Sequence, residues 1–464
     1  MKVILVSTYD LGHQPFGLAS PKAWLAAAGH DVHCVDLAVD RLPEDLIRGA
    51  GLVAFHLPMH TATRMAVPVI ARVKALNPKV RLACYGLYAP LNAELLADMG
   101  VDAIAGGEYE PRLVALANGA QAAASGSSAP LATEPLVQVS LDRLAFRLPD
   151  RTGLPEASRY SHLRDCGVSK TVAYTEASRG CKHLCRHCPV VPVYEGQFRV
   201  VQRDIVLADI RQQVTAGATH VTFGDPDFFN GPTHALRLVE AFHHEFPELT
   251  YDATIKIEHL LKHRDLLPAL HDTGCLFITS AVESVDDAVL AKLEKNHTRR
   301  DFLEAVELTR AAGLALQPTF IAFMPWTTRS GFVDLLRVLA DLDIVENVGP
   351  VQLALRLLIT SGSRLLELDD IRALVGPFDA KRLVYPWKHS DPEMDSLAGR
   401  ILQLVNVEQK KGRSRTEIFA AIWAAATSES LPAGFSTAVR PEAPHMDEPW
   451  YCCAEPMDAQ VPLV

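Results

Sequence analysis

Short apolar runs punctuated by polar turns recur through the first quarter of the chain, with helix-like stretches between them. Val3–Val6, Asp31–Asp36, Leu52–Phe55, Val80–Tyr85 and Ala103–Ala105 read as strands, since short runs rich in β-branched residues fit a sheet covered on both faces. Strands alternating with helices predict an α/β fold that begins with a doubly wound, Rossmann-like parallel sheet over residues 1–117. In such sheets ligands sit beyond the carboxyl ends of the strands. That rule gathers Ser7–Gly17, His56–Thr63, Gly86–Pro90 and Gly106–Glu110 around one crevice. The pattern alone does not say whether anything binds there.

Residues 118–165 read as a linker, rich in Ala, Ser, Gly and Gln to about Pro135, and an irregular bridge. Alternation then resumes over residues 166–376, with strands expected at Lys170–Thr175, His220–Phe223, Thr250–Ile257, Leu276–Ala281, Ala315–Ala322 and Val351–Ile359. Six such steps suggest a partial (β/α)6 barrel with its working groups at the carboxyl ends of the strands. Residues 377–464 are mostly helical in pattern, and their Pro-, Glu- and Asp-rich end offers little that would form an element.

A chain of 464 residues exceeds one ordinary compact core. Its 48% hydrophobic and 22% charged content is that of a globular protein, and a net charge of -10 disfavours a nucleic-acid partner held by phosphate neutralisation. The most apolar stretch, Ala311–Trp326, is broken by Gln317, Pro318 and Pro325, which argues against a membrane span. The opening apolar run is too short for a secretory signal, so a cytoplasmic location is expected. Of nine cysteines, three fall within eight residues and two are adjacent near the end, a distribution suited to metal or thiol chemistry and not to a disulfide framework.

Cys181, Cys185 and Cys188 follow a strand candidate on a loop opened by Gly180. Three such thiolates can hold three corners of a cubane iron–sulfur cluster and leave one iron open. Zinc is the competing metal, with His183 or His187 as fourth ligand. The spacing favours the cluster and leaves zinc open.

At these residues the chain resembles the radical S-adenosylmethionine (SAM) superfamily, over about Lys170–Ser363. The resemblance implies a [4Fe–4S] cluster on Cys181, Cys185 and Cys188, SAM chelated at the open iron, and reductive cleavage to a 5′-deoxyadenosyl radical. His187 departs from it, standing where the family more often has an aromatic residue. Gly224, Asp225 and Pro226 resemble the segment that holds the SAM amino group, although these are also ordinary turn residues. Ser280, Glu283 and Ser284 resemble the segment contacting the SAM ribose and carboxylate. Phe320–Thr327 resembles the apolar segment on adenine, and Arg356 a basic group meeting the SAM carboxylate. Asn296-His297-Thr298 reads as helix-end structure.

Residues 1–117 further resemble a cobalamin-binding domain, with Gly86, Gly107 and Glu108 as the implied contacts. The family's Asp-x-His-x-x-Gly motif is not present, and His13 reads as an ordinary loop histidine, so cobalamin is an optional cofactor here. A retained domain that no longer binds it is the rival. Tyr451-Cys452-Cys453-Ala454-Glu455-Pro456 resembles the tail of the radical SAM group ending in Cys-Cys-Ala-Glu-Pro or its selenocysteine form, which makes Cys452 and Cys453 candidate catalytic thiols. Cys34, Cys84, Cys166 and Cys275 read as buried structural thiols. The expectation is an enzyme acting on a small organic substrate, by cobalamin-dependent methyl transfer or without cobalamin, fed by a reductase or by ferredoxin or flavodoxin. A non-catalytic Fe–S redox or sensor protein is the main alternative, and a zinc-stabilised binding protein the weaker one.

Overall fold

The computed structural model describes residues 1–124, 135–427, 431 and 443–448. Six parallel strands form the first sheet: β1 (Lys2–Ser7), β2 (Asp31–Asp36), β3 (Leu52–His56), β4 (Arg81–Tyr85), β5 (Ala103–Gly107) and β6 (Val137–Ser140), in the order β2-β1-β3-β4-β5-β6. Val3 to Val6 are fully buried because both faces of β1 are covered: Val3 and Leu5 meet Leu18 and Leu25 on one side, and Ile4 and Val6 meet Ala66 and Val69 on the other. Strand order reverses between β1 and β3, the switch point where doubly wound sheets open a crevice. The sheet runs past residue 117. The helix Glu110–Ala124 occupies the first part of the expected linker, and β6 comes from the expected bridge. Residues 137–140 are half-buried or exposed, so β6 lacks an apolar signal and owes its existence to the free edge of β5.

The second sheet contains β7 (His162–Asp165), β8 (Val168–Thr175), β11 (His220–Phe223), β12 (Thr250–Thr254), β13 (Cys275–Glu283), β14 (Ala315–Phe320) and β15 (His445–Met446), with β9 (Ser178–Gly180) and β10 (Phe198–Val200) forming a separate hairpin. The five strands from β8 to β14 are parallel, and β7 and β15 add an antiparallel edge. In place of a sixth strand, Pro350–Leu353 is a 3-10 turn and Arg356 makes a single parallel bridge to Phe323.

Its two edges meet, because the Gln317 amide on β14 donates to the Pro444 carbonyl next to β15. β15 lies in the stretch expected to form no element. There Asp447 accepts from His162 N at 2.8 Å and pairs with Arg164 at 3.0 Å, while Met446 packs on Leu163 and Phe277. The C-terminal helices Pro392–Lys410 and Arg415–Thr427 bury Leu397, Ile401, Phe419 and Trp423 in the same core as the barrel. No helix among the described residues is long and apolar enough to cross a membrane.

Candidate active site

Parallel strands send their carboxyl ends to one side, and here the two sheets face each other across a cavity of about 380 Å³, the size of a small-molecule site. Asp10, Leu11, His13, Pro58, Met59 and Leu87 line it from the first domain. These are the loops after β1, β3 and β4, as the crevice rule predicted. From the barrel come Cys181, Cys185 and Cys188, the Gly224–Pro226 turn, Thr254, Lys256, Glu283 and Lys295.

The cysteine loop leaves β9 through Gly180 at φ +77°, where a Cβ would lie 2.6 Å from the Gln197 carbonyl and 2.3 Å from the Tyr194 ring. Only glycine fits. Burial pushes the Cys181 thiol up to about 11, so a metal must displace its proton on binding. Lys256 Nζ stands 3.6 Å from Cys185 Sγ, an ammonium beside a thiolate site that no motif announced.

Both histidines of the loop face carboxylates. His187 Nε2 is 3.1 Å from Glu283, and His183 lies 3.4 Å from Asp227 and 3.5 Å from Glu258. A carboxylate on one imidazole nitrogen leaves the other for a metal, so these contacts do not by themselves decide between cluster and zinc. The most compact alternative ligand set is Cys181, His183 and Asp227, whose donor atoms lie within 4.8 Å of one another.

Gly224 lets the turn after β11 approach Tyr174, since a Cβ there would be 2.0 Å from the tyrosine hydroxyl. Asp225 accepts from Ser178 Oγ at 2.5 Å and Ala177 N at 2.9 Å, tying this turn to the start of β9. Burial outweighs those bonds and pushes its carboxyl up to about 7. Glu283 lines the cavity at φ +71°, a left-handed conformation that costs a non-glycine residue energy and that clusters at functional sites. Burial works to raise its pKa, but Lys295, 3.4 Å away, and His187 hold it down to about 2.

Other expected contacts lie elsewhere. The β13 alternation that turns Thr279, Ala281 and Glu283 to the cavity sends Ser280 to the opposite face, where it is fully buried. Ser284 Oγ accepts from Asp286 N. Arg356 is bound to Asp395 at 2.7 Å and lies 4.1 Å from the Trp387 ring centroid, so its counter-charge is internal. Phe320, Ile321, Phe323 and Met324 are core residues and do not line the cavity. Thr298 caps the helix Arg299–Ala311, matching the reading of residues 296–298.

The implied cobalamin contacts are also taken up internally. A Cβ on Gly86 would meet the Leu57 carbonyl at 3.0 Å, and one on Gly107 the Ser140 carbonyl at 2.1 Å. Glu108 is paired with Arg179 at 3.3 Å. His13, read as a plain loop residue, instead lines the cavity and stacks on Tyr174 at 4.5 Å. Its neighbour across the cavity floor, Asp252, accepts from His220 at 2.9 Å and Thr222 at 2.6 Å. Lys256, Lys295, His13 and Asp252 were missed because isolated polar residues acquire meaning only beside their neighbours. Cys84 and Cys275 are buried, Cys34 is half-buried, and Cys166 is exposed at the turn between β7 and β8, contrary to its expected burial. Cys452 and Cys453 lie outside the described residues.

Residues 175–339 match the family model of the Radical SAM superfamily. The barrel is similar to a radical SAM domain. Such a domain implies a [4Fe–4S] cluster and SAM, and three cysteines converging on one cavity fit a three-thiolate cluster.

Among curated proteins, the chain is 25% identical over 325 residues to hopanoid C-3 methylase of Methylococcus capsulatus, covering 68% of this chain and 62% of that one. It is 26% identical over 198 residues to the tRNA-2-methylthio-N(6)-dimethylallyladenosine synthase of Pseudomonas fluorescens, covering 40% and 45%. The chain thus spans less than two thirds of the length of either relative. Among solved structures, the fold is similar to OxsB, a cobalamin-dependent SAM radical enzyme solved with aqua-cobalamin and SAM, at TM-score 0.66 and 12% identity over 88% of this chain and 67% of that one. It is also similar to the methyltransferase TsrM of Kitasatospora setae, solved with cobalamin and a [4Fe–4S] cluster, at TM-score 0.56 and 17% identity over 74% and 70%.

Proposed function

We propose that this protein is a radical SAM enzyme that modifies a small organic molecule. The observation that carries the reading is the single cavity onto which Cys181, Cys185 and Cys188, the Gly224–Pro226 turn and Glu283 all open. A reduced cluster with bound SAM would supply a 5′-deoxyadenosyl radical there. The chain's own share is binding, orientation and exclusion of water. Lys256 offsets thiolate charge beside Cys185, Glu283 presents an ionised carboxylate on a fixed backbone, and the first domain closes the cavity with Leu11, Pro58, Met59 and Leu87. The electron donor in this reading is a reductase or a ferredoxin- or flavodoxin-type carrier.

Cobalamin-dependent methyl transfer is the second reading. It is favoured by the hopanoid methylase relative and by the fold similarity to OxsB and TsrM. Beside it stands the packing of the implied contacts: Gly86 and Gly107 lie close against the Leu57 and Ser140 carbonyls, and Glu108 is paired with Arg179. No step is assigned to a corrinoid. The tail thiols Cys452 and Cys453 are proposed as further groups of this site, because Glu448, two residues past β15, lines the cavity and accepts from Tyr9 at 2.5 Å.

Anaerobic reconstitution with iron, sulfide and hydroxocobalamin, followed by metal analysis and a dithionite-driven assay for 5′-deoxyadenosine, tests the proposal. Cluster and cleavage support the enzyme, and added cobalt supports methyl transfer. A reduced, intact cluster without cleavage would move the protein to the redox or sensor class.

A further inference from the structure

We infer that Glu108 is a clamp that closes the two ends of the cysteine loop on the first domain, a positioning residue for the cluster. The inference rests on the radical SAM reading for the identity of the group in the loop. Its geometry is independent of that reading.

The Glu108 side chain is fully buried and holds two partners. Arg179, two residues before Cys181, reaches Glu108 Oε2 with Nη1 at 3.3 Å. Tyr194, six residues after Cys188, donates its hydroxyl to Glu108 Oε1 at 3.3 Å. One carboxylate of the first domain therefore bridges both flanks of the segment that carries all three thiols.

Nothing in the clamp is free to drift. Gly107 at φ +65° lies under the Ser140 carbonyl, and Glu108 N donates to that same carbonyl at 2.8 Å, so β6 fixes the carboxylate from behind. Arg179 is further held by Glu110 at 2.8 Å and Glu176 at 2.7 Å, with the rings of Tyr109 and Phe146 about its guanidinium at 5.1 and 5.0 Å. The Tyr194 ring covers Gly180. Cys181, Val190, Val193 and Tyr194 share an apolar cluster with Phe55, Leu57 and Tyr88, so the loop is packed as part of the first domain although the preceding strand β8 belongs to the barrel.

Such a bridge acts on the cluster by limiting how far the loop ends separate. Three thiolates must keep one spacing while the cluster changes charge, and a loop tied at both ends loses less order in doing so. A carboxylate that instead served a ligand of the first domain would leave the cluster indifferent to its removal.

The test uses the full-length, anaerobically reconstituted protein and its Glu108→Ala, Glu108→Gln and Tyr194→Phe variants. The readouts are iron and sulfide content, the electron paramagnetic resonance spectrum of the reduced cluster with and without SAM, its midpoint potential, and the rate of cluster loss in air. For Glu108→Ala the expected results are an altered spectrum, a shifted potential and cluster loss faster by about ten-fold, the scale of one hydrogen bond to a charged group. Glu108→Gln, which still accepts from Tyr194, recovers part of the loss.

Tyr194→Phe keeps the ring over Gly180 and moves the loss rate in the same direction by about three-fold, as a weaker bond should. It also reports if Glu108→Ala does not fold. Parent-like clusters in both Glu108→Gln and Tyr194→Phe would overturn the clamp. Parent-like clusters with reduced cobalt uptake from hydroxocobalamin would return Glu108 to a ligand role. A parent protein that assembles no cluster at all would refute the radical SAM reading instead.

Discussion

Two parallel sheets meet at this cavity, and they use the ends of their strands differently. The barrel turns Thr254, Lys256 and Glu283 to the open space, whereas the first domain commits Gly86, Gly107, Glu108 and Glu110 to its own chain and to Arg179. At this sheet, then, some strand ends open on the cavity, as Asp10, His13 and Leu87 do, while others are spent on docking the two domains. The same Gly-Glu chemistry that would suit a cofactor also suits docking one domain on another, because both need close backbone approach and a fixed charge.

The largest effect expected lies on the barrel side. Replacing Cys185 by Ala removes one of the three proposed ligands, and reconstituted iron and 5′-deoxyadenosine formation should fall to background. Retention of a full cluster would break the assignment.

Next is the domain junction. Arg179→Met leaves the buried Glu108 and Glu110 and the half-buried Glu176 without their shared cation, and about 3–5 kcal/mol of stability should be lost in urea unfolding. A loss under 1 kcal/mol would mean that the junction is not what holds the domains together.

Lys256→Met tests the open side with the fold retained. Loss of one preorganised charge beside Cys185 should slow SAM cleavage by about ten- to a hundred-fold, while the melting temperature stays close to that of the parent.

A smaller effect distinguishes the regions by pH. Asp225 rises from its ordinary 3.8 to about 7 through burial, and Glu108 to about 7 by the same cause. A raised carboxyl binds its proton more tightly when folded, so its stabilisation is complete below pH 4 and disappears as pH climbs towards 7. Unfolding of the cluster-free protein should show stability falling across that window, by up to about 4 kcal/mol from Asp225, and Asp225→Asn should make the slope shallower. Arg356→Met should do least. Its partners are Asp395 and Trp387, so the KM for SAM should not change, and a large rise would restore the contact implied by resemblance.

How much of this was legible beforehand follows from what each signal measures. Leu52–His56 runs one residue past its expected end and His220–Phe223 matches its expected bounds, because buried parallel strands are continuous apolar or β-branched runs wherever they occur. β6 and β15 were invisible, since each is a short polar segment that pairs only because an edge is waiting. In the site, the cysteine spacing was readable because covalent geometry fixes it locally. Arg356 was misplaced because a strand end does not say which way a long side chain turns, and here Asp395, 39 residues on, decides. His13 was passed over for the converse reason: its neighbour Tyr174 belongs to the other domain.

The sequence by itself determined two series of buried strands, a three-thiolate loop opened by a glycine, and the class of chemistry that such a loop supports. Each depends on neighbours in the chain or on the period of a single element. Tertiary structure alone decided that both strand ends face one cavity, that Lys256 and Lys295 stand beside Cys185 and Glu283, and that Glu108 faces Arg179 and Tyr194. Those are contacts between residues 12 to 86 positions apart, and only the packing of a whole chain brings such charges together and buries them enough for their interaction to matter.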